Sequence, residues 1–223
     1  MFKRFITSVL EWQAKRLLLK YKPKIVAVTG SVGKTSTKLA IATVLGQRYK
    51  VLAQYGSYNT EIGLPMAIFN MPMPAKLRSL SAWLKVFSER EKQIRTKYPF
   101  DVLVLELGAD KLGDIGYFKK YIKPDIGVVT AVSVEHMASF GSLDNIAAEE
   151  LSITHFAKLS LINRDNIDGV FSKLVPDDID IDTYGTSGVA EYRFIIDDFT
   201  PGHYSGQFIS PELGQVQTNL HLV

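Results

Sequence analysis

The chain has 223 residues, of which 46% are hydrophobic and 22% charged, with 26 basic and 23 acidic residues and a net charge of +3. This length allows one large domain or two small ones, and the composition is ordinary for a globular protein. The sequence contains no cysteine, which excludes disulfides, thiolate zinc sites and a cysteine nucleophile and fits a reducing, cytoplasmic setting.

Residues 1–24 are strongly basic, with seven Lys and Arg residues against the single acidic residue Glu11. Apolar residues recur in this segment at helical spacing, at Phe2, Ile6, Val9 and Leu10. We predict a basic amphipathic helical extension over 1–24 that packs on the following domain, with weak contact to an anionic membrane surface as the alternative. No apolar run is long enough to cross a bilayer. The rest of the chain is mildly acidic, so nucleic-acid binding has little support.

Four short apolar runs without polar alternation are typical of buried parallel strands, and they are Ile25–Val28, Val102–Leu107, Ile126–Val132 and Leu159–Ile162. Helical patterns separate them, at Thr37–Leu45, Leu64–Phe69, Ala82–Tyr98, Gly113–Tyr121 and Leu143–Phe156. This alternation predicts an α/β fold with a doubly wound, mostly parallel sheet, whose ligands bind beyond the carboxyl ends of the strands.

The pattern changes after about residue 175, where Gly, Pro, Asp and Ser separate four strand-like segments. These segments are Ile179–Tyr184, Tyr192–Phe199, Tyr204–Ile209 and Gln215–Val223. They predict a C-terminal antiparallel β meander. The last segment runs to the end of the chain, so we expect the chain to be part of a longer protein.

The first predicted strand runs directly into a loop that resembles a phosphate-binding P-loop, formed by Thr29, Gly30, Ser31, Val32, Gly33, Lys34, Thr35 and Ser36. Its glycines let backbone N–H groups surround phosphate oxygens, and the next helix directs its positive end toward the anion. Lys34 can reach the terminal phosphates and the Thr35 hydroxyl can bind magnesium. Val28 stands where the general motif has its first glycine. We predict nucleoside triphosphate binding by residues 30–36, the alternative being a tight strand-to-helix turn.

Several polar residues follow predicted strands. Glu106 ends a very apolar strand, where a magnesium ligand is wanted, although a charge that simply reaches solvent is the alternative. His136 follows the third strand, and a lone histidine there is more often a packing or surface residue. Glu149 and Glu150 lie on the next helix and are candidates for a second metal site or for a solvated helix face. Asn59 and Thr60 are typical of a polar turn.

Together these pieces resemble the Mur ligase superfamily, from about Lys24 to the chain end. The resemblance rests on five ordered blocks, which are residues 29–36, 59–65, 106–108, 136–142 and 161–166. Within the superfamily the chain is most similar to the branch that adds D-Ala-D-Ala to a UDP-MurNAc-tripeptide.

The resemblance implies an ATP-dependent carboxylate–amine ligase of peptidoglycan synthesis that works through an acyl phosphate, with ATP and Mg²⁺ as cofactors. Its partners would be a UDP-MurNAc-peptide and D-Ala-D-Ala, or another carboxylate and amine pair. The roles implied for individual residues are these: Lys34, Glu106 and His136 catalytic, Thr35 and Glu106 on the first magnesium, His136 and Glu150 on the second, Asn59 and Thr60 at the substrate, and Asn163 and Asp165 near the nucleotide. The sequence does not indicate an oligomeric state.

The chain departs from the family in three ways. Glu150 stands where the family usually has a carbamylated lysine, and a glutamate already supplies the carboxylate that this modification creates. We expect residues 25–223 to form an ATP-binding central domain, and the basic segment 1–24 does not resemble the family's N-terminal UDP-sugar domain. We expect the family's C-terminal ligase domain to lie outside these 223 residues and this chain alone to be inactive.

Two kinds of alternative remain open. One is a different superfamily ligase, such as a folylpolyglutamate or cyanophycin synthetase or a lipid II amidation partner. The other is a nucleotide-binding module without ligase chemistry.

Overall fold

The computed structural model describes residues 2–54, 59–135 and 137–221. The helices are α1 (Phe2–Tyr21), α2 (Lys34–Gly46), α3 (Gly63–Ile68), α4 (Leu80–Arg95), α5 (Asp114–Tyr117), α6 (Met137–Phe140) and α7 (Leu143–Leu151). The strands are β1 (Lys24–Thr29), β2 (Val51–Ala53), β3 (Val102–Glu106), β4 (Ile126–Val129), β5 (Leu159–Asn163), β6 (Asp180–Gly185), β7 (Tyr192–Thr200), β8 (His203–Ser210) and β9 (Gly214–His221). Short 3₁₀ turns occupy Phe118–Lys120, Ser152–His155 and Gly169–Leu174.

The strands of the described residues form one sheet in the order β2-β3-β1-β4-β5-β6-β7-β8-β9. Neighbouring strands from β2 through β7 are parallel, whereas β7, β8 and β9 pair antiparallel. The expected mixed α/β fold, with a mostly parallel sheet and antiparallel C-terminal strands, is therefore confirmed.

One part of that expectation is wrong. The segment predicted as Ile179–Tyr184 is β6, and it pairs parallel with β5, from Leu159 opposite Asp180 onward, instead of joining the meander. The chain returns to the amino end of the sheet through the 3₁₀ turn Gly169–Leu174. A parallel connection normally contains a helix, and this short turn has no helical pattern that the sequence could show. The three-residue strand β2 was also missed.

Both faces of the parallel strands are covered, because alternate side chains point to opposite sides. On one face, valines of β1, β3 and β4 pack against Ile41, Ala42 and Leu45 of α2. On the other face, Ile25 and Ala27 pack in the main core with residues of α1, α3 and α7. Because both faces are buried, the sequences of these strands are apolar at nearly every position.

Helix α1 packs against α3 and α4 through a buried face that includes Ile6, Leu10 and Leu17. Arg16 forms an ion pair with Glu91 at 2.6 Å. The expected N-terminal helix is therefore confirmed as a helix packed on the fold, while the division into a 1–24 extension and a 25–223 domain stays a prediction. No helix within the described ranges has both the length and the apolar character needed to cross a membrane.

A fully buried arginine reinforces this packing. Arg90 of α4 donates to the Leu10 carbonyl at 2.9 Å, and its guanidinium lies 3.9 Å from the centre of the Phe69 ring. Burial lowers the pKa of Arg90 to about 9. The side chain thus links α1, α4 and the end of α3.

We expect Leu10→Ala to lower the free energy of unfolding by about 2–5 kcal/mol, because it leaves a cavity between α1 and the core. Leu19→Ala on the same helix is the matched control, since Leu19 is 64% exposed, and should change stability by about 0.5 kcal/mol or less. Urea unfolding measures both. Equal effects of the two substitutions would contradict the packing of α1.

Candidate functional site

The glycine-rich loop lies at the carboxyl end of β1, which is flanked by β3 and β4. Gly30 and Gly33 have φ values of 129° and 83°, a region that residues with a Cβ atom rarely adopt. A Cβ atom on Gly30 would lie 2.1 Å from Thr130 Oγ1 and 2.8 Å from the Ala131 nitrogen. Only glycine fits this position.

Hydrogen bonds fasten the loop to the residues that follow β4. The Ser31 N–H donates to the Ala131 carbonyl at 2.9 Å, and the Thr130 hydroxyl donates to the Val32 carbonyl at 2.6 Å. The Ser133 N–H donates to Ser31 Oγ at 3.0 Å. These contacts hold Ser31 and Val32 in one conformation, so the loop is preformed.

The loop leads directly into α2. Its N-cap is Gly33, which makes no side-chain cap bond, and the first turn, with Thr35 and Ser36, contains no acidic residue. The first N–H groups of a helix have no intrahelical acceptor and carry partial positive charge. Lys34 adds a full charge here, with Nζ 2.5 Å from the Gly30 carbonyl and 3.1 Å from the Ser31 carbonyl.

A buried cluster joins the loop helix to β3. Glu106 Oε2 accepts from the Thr35 hydroxyl at 2.9 Å and from Lys38 Nζ at 2.9 Å. Lys38 and Glu106 are 1% and 3% exposed, so this is an ion pair inside the protein. The Glu106 N–H donates to Gln54 Oε1 at 2.7 Å, which connects the cluster to the chain after β2. The structure thus brings Thr35 and Glu106 together as expected from the sequence.

Lys38 was missed at the sequence level. The available signal is its position three residues after Thr35, which places both side chains on the same side of α2. Lys38 is also more deeply buried than the apolar residues of α2 that pack on the sheet. A buried lysine is stable only when a carboxylate pairs with its charge, and Glu106 supplies that carboxylate.

The Thr35–Glu106 pair fits magnesium, which prefers hard oxygen ligands and usually keeps waters and substrate phosphates as the remaining ligands. In the part of the chain that the structure describes, no three His, Asp or Glu side chains form a metal-binding group. The donor set therefore suits an ion that arrives with a phosphate better than one held by protein alone.

Glu150 lies at the start of the loop. Its Oε2 accepts from the Gly30 N–H at 2.7 Å and also from the Thr29 hydroxyl. Burial raises the pKa of Glu150, while the Lys34 charge opposes that shift. This carboxylate orients the loop, and its assignment as a metal ligand stays a prediction, as does that of His136, which lies outside the described residues.

Glu149 is occupied elsewhere. It accepts from the N–H groups of Gly113 and Ile115, both at 2.6 Å, at the beginning of α5. Burial raises the pKa of Glu149. The side chain therefore ties α7 to α5, and nothing in this geometry directs it to a metal.

A cavity of about 390 Å³ adjoins Lys34, and Asn59 and Thr60 line it. Asn59 packs closely on Gly108, the second residue after β3, because a Cβ on Gly108 would lie 2.1 Å from Asn59 Nδ2. The Thr60 hydroxyl accepts from the Gly63 N–H at 3.0 Å. Residues from two of the sequence blocks, 29–36 and 59–65, thus line one cavity.

The cavity also has charged lining residues that the sequence reasoning missed, namely Glu61, Asp110, Lys111 and Asp114. Asp110 and Lys111 follow β3 closely, so the rule that ligands gather beyond the carboxyl ends of parallel strands could have found them. The wall therefore carries both signs of charge.

Asn163 and Asp165 occupy different surroundings. Asn163 Nδ2 donates to the Thr130 carbonyl at 2.9 Å, beside the loop. The Asp165 carboxylate accepts from the Thr186 N–H at 2.6 Å and from the Ser187 N–H at 3.1 Å, between β6 and β7. Hydrogen bonds, first that from the Thr186 N–H, lower the pKa of Asp165. Asn163 is thus linked to the loop, whereas Asp165 holds a connection between strands; nucleotide contact by either stays a prediction.

We expect Gly30→Ala to lower the free energy of unfolding by about 2–5 kcal/mol, because the new methyl group overlaps Thr130 and the positive φ is strained. Gly46→Ala is the matched control, since no atom lies within 4 Å of its added Cβ and alanine favours a helix by up to about 1 kcal/mol. Chemical denaturation distinguishes them. A Gly30→Ala variant as stable as the wild type would contradict the close approach.

Glu150→Gln should change how stability depends on pH. The raised folded-state pKa means that the folded chain holds this proton more tightly than the unfolded chain, so the contribution of Glu150 falls as pH rises above its ordinary pKa of 4.5. The glutamine oxygen can still accept from Gly30 and Thr29. We therefore expect the variant to gain stability relative to the wild type as pH rises from 4.5, as measured by urea unfolding at several pH values. If the free energies of unfolding of the variant and the wild type changed with pH in parallel, this prediction would be wrong.

Comparison with known proteins agrees with the motif resemblance. Residues 28–78 and 90–223 match the family model for the Mur ligase middle domain. The chain is 31% identical over 163 residues to the UDP-N-acetylmuramoyl-tripeptide–D-alanyl-D-alanine ligase of Bacillus subtilis, covering 73% of this chain and 28% of that protein.

Two solved structures show the same fold. MurF from Acinetobacter baumannii superposes with a TM-score of 0.75 at 19% identity, over 96% of this chain and 42% of that one. MurF ligase from Thermotoga maritima in complex with ADP gives a TM-score of 0.74 at 24% identity, over 96% and 44%. The chain thus spans less than half of these proteins. Because the family model covers most of its length, the chain belongs to the Mur ligase middle domain family.

Proposed function

We propose that this chain is the nucleotide-binding part of an ATP-dependent ligase of peptidoglycan precursor synthesis, which adds D-Ala-D-Ala to a UDP-MurNAc-peptide in the cytoplasm. The observation that carries the proposal is the preformed loop at the N-terminus of α2, with Lys34 above it and the Thr35–Glu106 pair beside it. The names of the curated relatives and the ADP complex of the Thermotoga maritima MurF ligase support it.

In this proposal the loop binds the ATP phosphates. The first N–H groups of α2 donate to phosphate oxygens, and Lys34 exchanges its bonds to the Gly30 and Ser31 carbonyls for charge-assisted bonds to the β- and γ-phosphates. Because Ser31 and Val32 are already held by the residues after β4, binding requires little ordering of the loop.

Thr35 and Glu106 would hold a magnesium ion, which would neutralise phosphate charge when bound. Lys38 shares the Glu106 oxygen and thereby fixes the carboxylate on the side facing Thr35. For a second ion we propose that His136 and Glu150 would be ligands, with Glu150 also holding the loop through the Gly30 N–H. A glutamate there would serve in place of the family's carbamylated lysine.

The cavity beside Lys34 would receive the carboxylate end of the UDP-MurNAc-peptide, oriented by Asn59 and Thr60. Lys34 reduces the repulsion between this carboxylate and the triphosphate. The carboxylate oxygen attacks the γ-phosphorus and ADP leaves, which yields an acyl phosphate. The amine of D-Ala-D-Ala then attacks the carbonyl carbon, and the amide forms as phosphate leaves and the amine loses a proton.

Calorimetric titration with ATP and magnesium tests the nucleotide site. We expect Lys34→Ala to weaken ATP binding at least about 100-fold, because it removes charge-assisted bonds to two phosphates. Lys76→Ala, an exposed lysine away from the cavity, should bind as the wild type does. Unchanged affinity in the Lys34 variant, or a folded chain that binds no ATP, would overturn the proposal.

A substrate panel tests the ligase step; because this chain alone is expected to be inactive, the panel uses a longer protein in which a C-terminal ligase domain follows the chain. Phosphate release that requires both UDP-MurNAc-tripeptide and D-Ala-D-Ala would support it. Release with a different acid and amine would assign the chain to another ligase of the superfamily. Nucleotide binding without phosphate release, for every pair of acid and amine tested, would favour a binding module.

A further inference from the structure

The strongest feature outside the candidate site is a basic groove on the opposite edge of the sheet. It has a volume of about 560 Å³, and seven lysines line it. Lys15 and Lys22 come from α1 and the residue after it, and Lys119, Lys120 and Lys123 from the segment after α5. Lysines gathered this closely repel one another. An anionic partner would relieve that repulsion.

The groove contains little compensating charge. Asp125 is the acidic residue among its described lining residues, and it pairs with Lys24 at 3.3 Å and Lys158 at 2.8 Å. Within the described parts of the chain, the other five lysines of the groove form no ion pair with a carboxylate. Each of the five is exposed, and the Lys120 ammonium lies 3.8 Å from the centre of the Tyr117 ring.

A line of apolar side chains leads along α1 into this groove. Phe5, Trp12 and Leu19 are 54%, 57% and 64% exposed. They are spaced seven residues apart, which places them along one side of the helix. Leu19 itself lines the groove. The buried side of α1 is already used against α3 and α4, so this outer line does not serve the core.

Lysines combined with exposed aromatic and aliphatic side chains on one helix match the chemistry of an anionic bilayer surface. Tryptophan prefers the headgroup level, and lysine can keep its ammonium among phosphates while its chain lies along apolar surface. A second copy of this chain is disfavoured on the same surface, because two lysine-lined grooves would repel each other.

We propose that the outer side of α1 and the adjoining groove form a docking surface for anionic phospholipid. Phe5, Trp12 and Leu19 enter the headgroup region and the lysines contact lipid phosphates. The groove lies at the amino ends of β1, β4 and β5, next to Lys24, Asp125 and Lys158. The glycine-rich loop lies at the carboxyl end of β1, so the groove and the loop are at opposite ends of that strand.

Vesicle sedimentation tests this proposal with the intact chain. Vesicles of phosphatidylcholine that contain about one third phosphatidylglycerol should bind the chain, pure phosphatidylcholine should not, and added salt should weaken binding. Substituting Lys15, Lys119 and Lys123 with glutamine should weaken binding at least about tenfold. The control variant has glutamine in place of Lys76, Arg78 and Lys85, which are exposed outside the groove. It loses the same amount of positive charge and should bind vesicles as tightly as the wild type does.

Tryptophan fluorescence supplies an independent readout. The chain has two tryptophans; Trp12 is 57% exposed and Trp83 is 1% exposed, so a change in acrylamide quenching reports Trp12. Anionic vesicles should shift the emission to the blue and protect Trp12 from acrylamide.

Several results would overturn the proposal. These are equal binding to neutral vesicles, equal losses in the two triple variants, or binding to RNA or polyglutamate without binding to vesicles. ATP titration of the groove variant separates this inference from the proposed function, because the groove variant should keep wild-type ATP affinity.

Discussion

The contact between the Gly30 backbone and the residues after β4 is the constraint on which the candidate site depends. At this point the loop passes so close to Thr130 and Ala131 that a side chain cannot be accommodated. The approach is possible because β1 lies between β3 and β4, whose carboxyl ends reach the same edge of the sheet. The direction of α2 and the position of Lys34 both depend on this turn.

Charge is distributed in a way that suits this arrangement. Near the loop, carboxylates are buried and each is held by a defined donor: Glu106 by Lys38 and Thr35, and Glu150 by Gly30 and Thr29. Buried charges are retained only when they are paired and hydrogen-bonded. The lysines of the opposite edge face solvent instead. One edge is therefore preorganised for a multiply charged ligand, and the other presents an open basic surface.

Helix α1 connects the two edges physically. Its inner side packs on the core and on Arg90, so its outer side is held rigidly. The Tyr117 hydroxyl, on the wall of the candidate substrate cavity, donates to Glu11 of this helix. The N-terminal helix thus contributes to the support of the cavity as well as to the basic groove.

The sequence by itself determined the α/β class and the glycine-rich loop, because glycines and apolar runs are local patterns. The expectation that Asn59 and Thr60 lie beside Lys34 came from the family resemblance, since their local pattern indicated only a turn. Only the tertiary structure decided that β6 joins the parallel sheet, that Lys38 pairs with Glu106, and that the lysines of distant segments share one groove. The physical reason is that strand pairing and charge pairing join residues far apart in the chain, and one sequence carries no record of which distant residues meet.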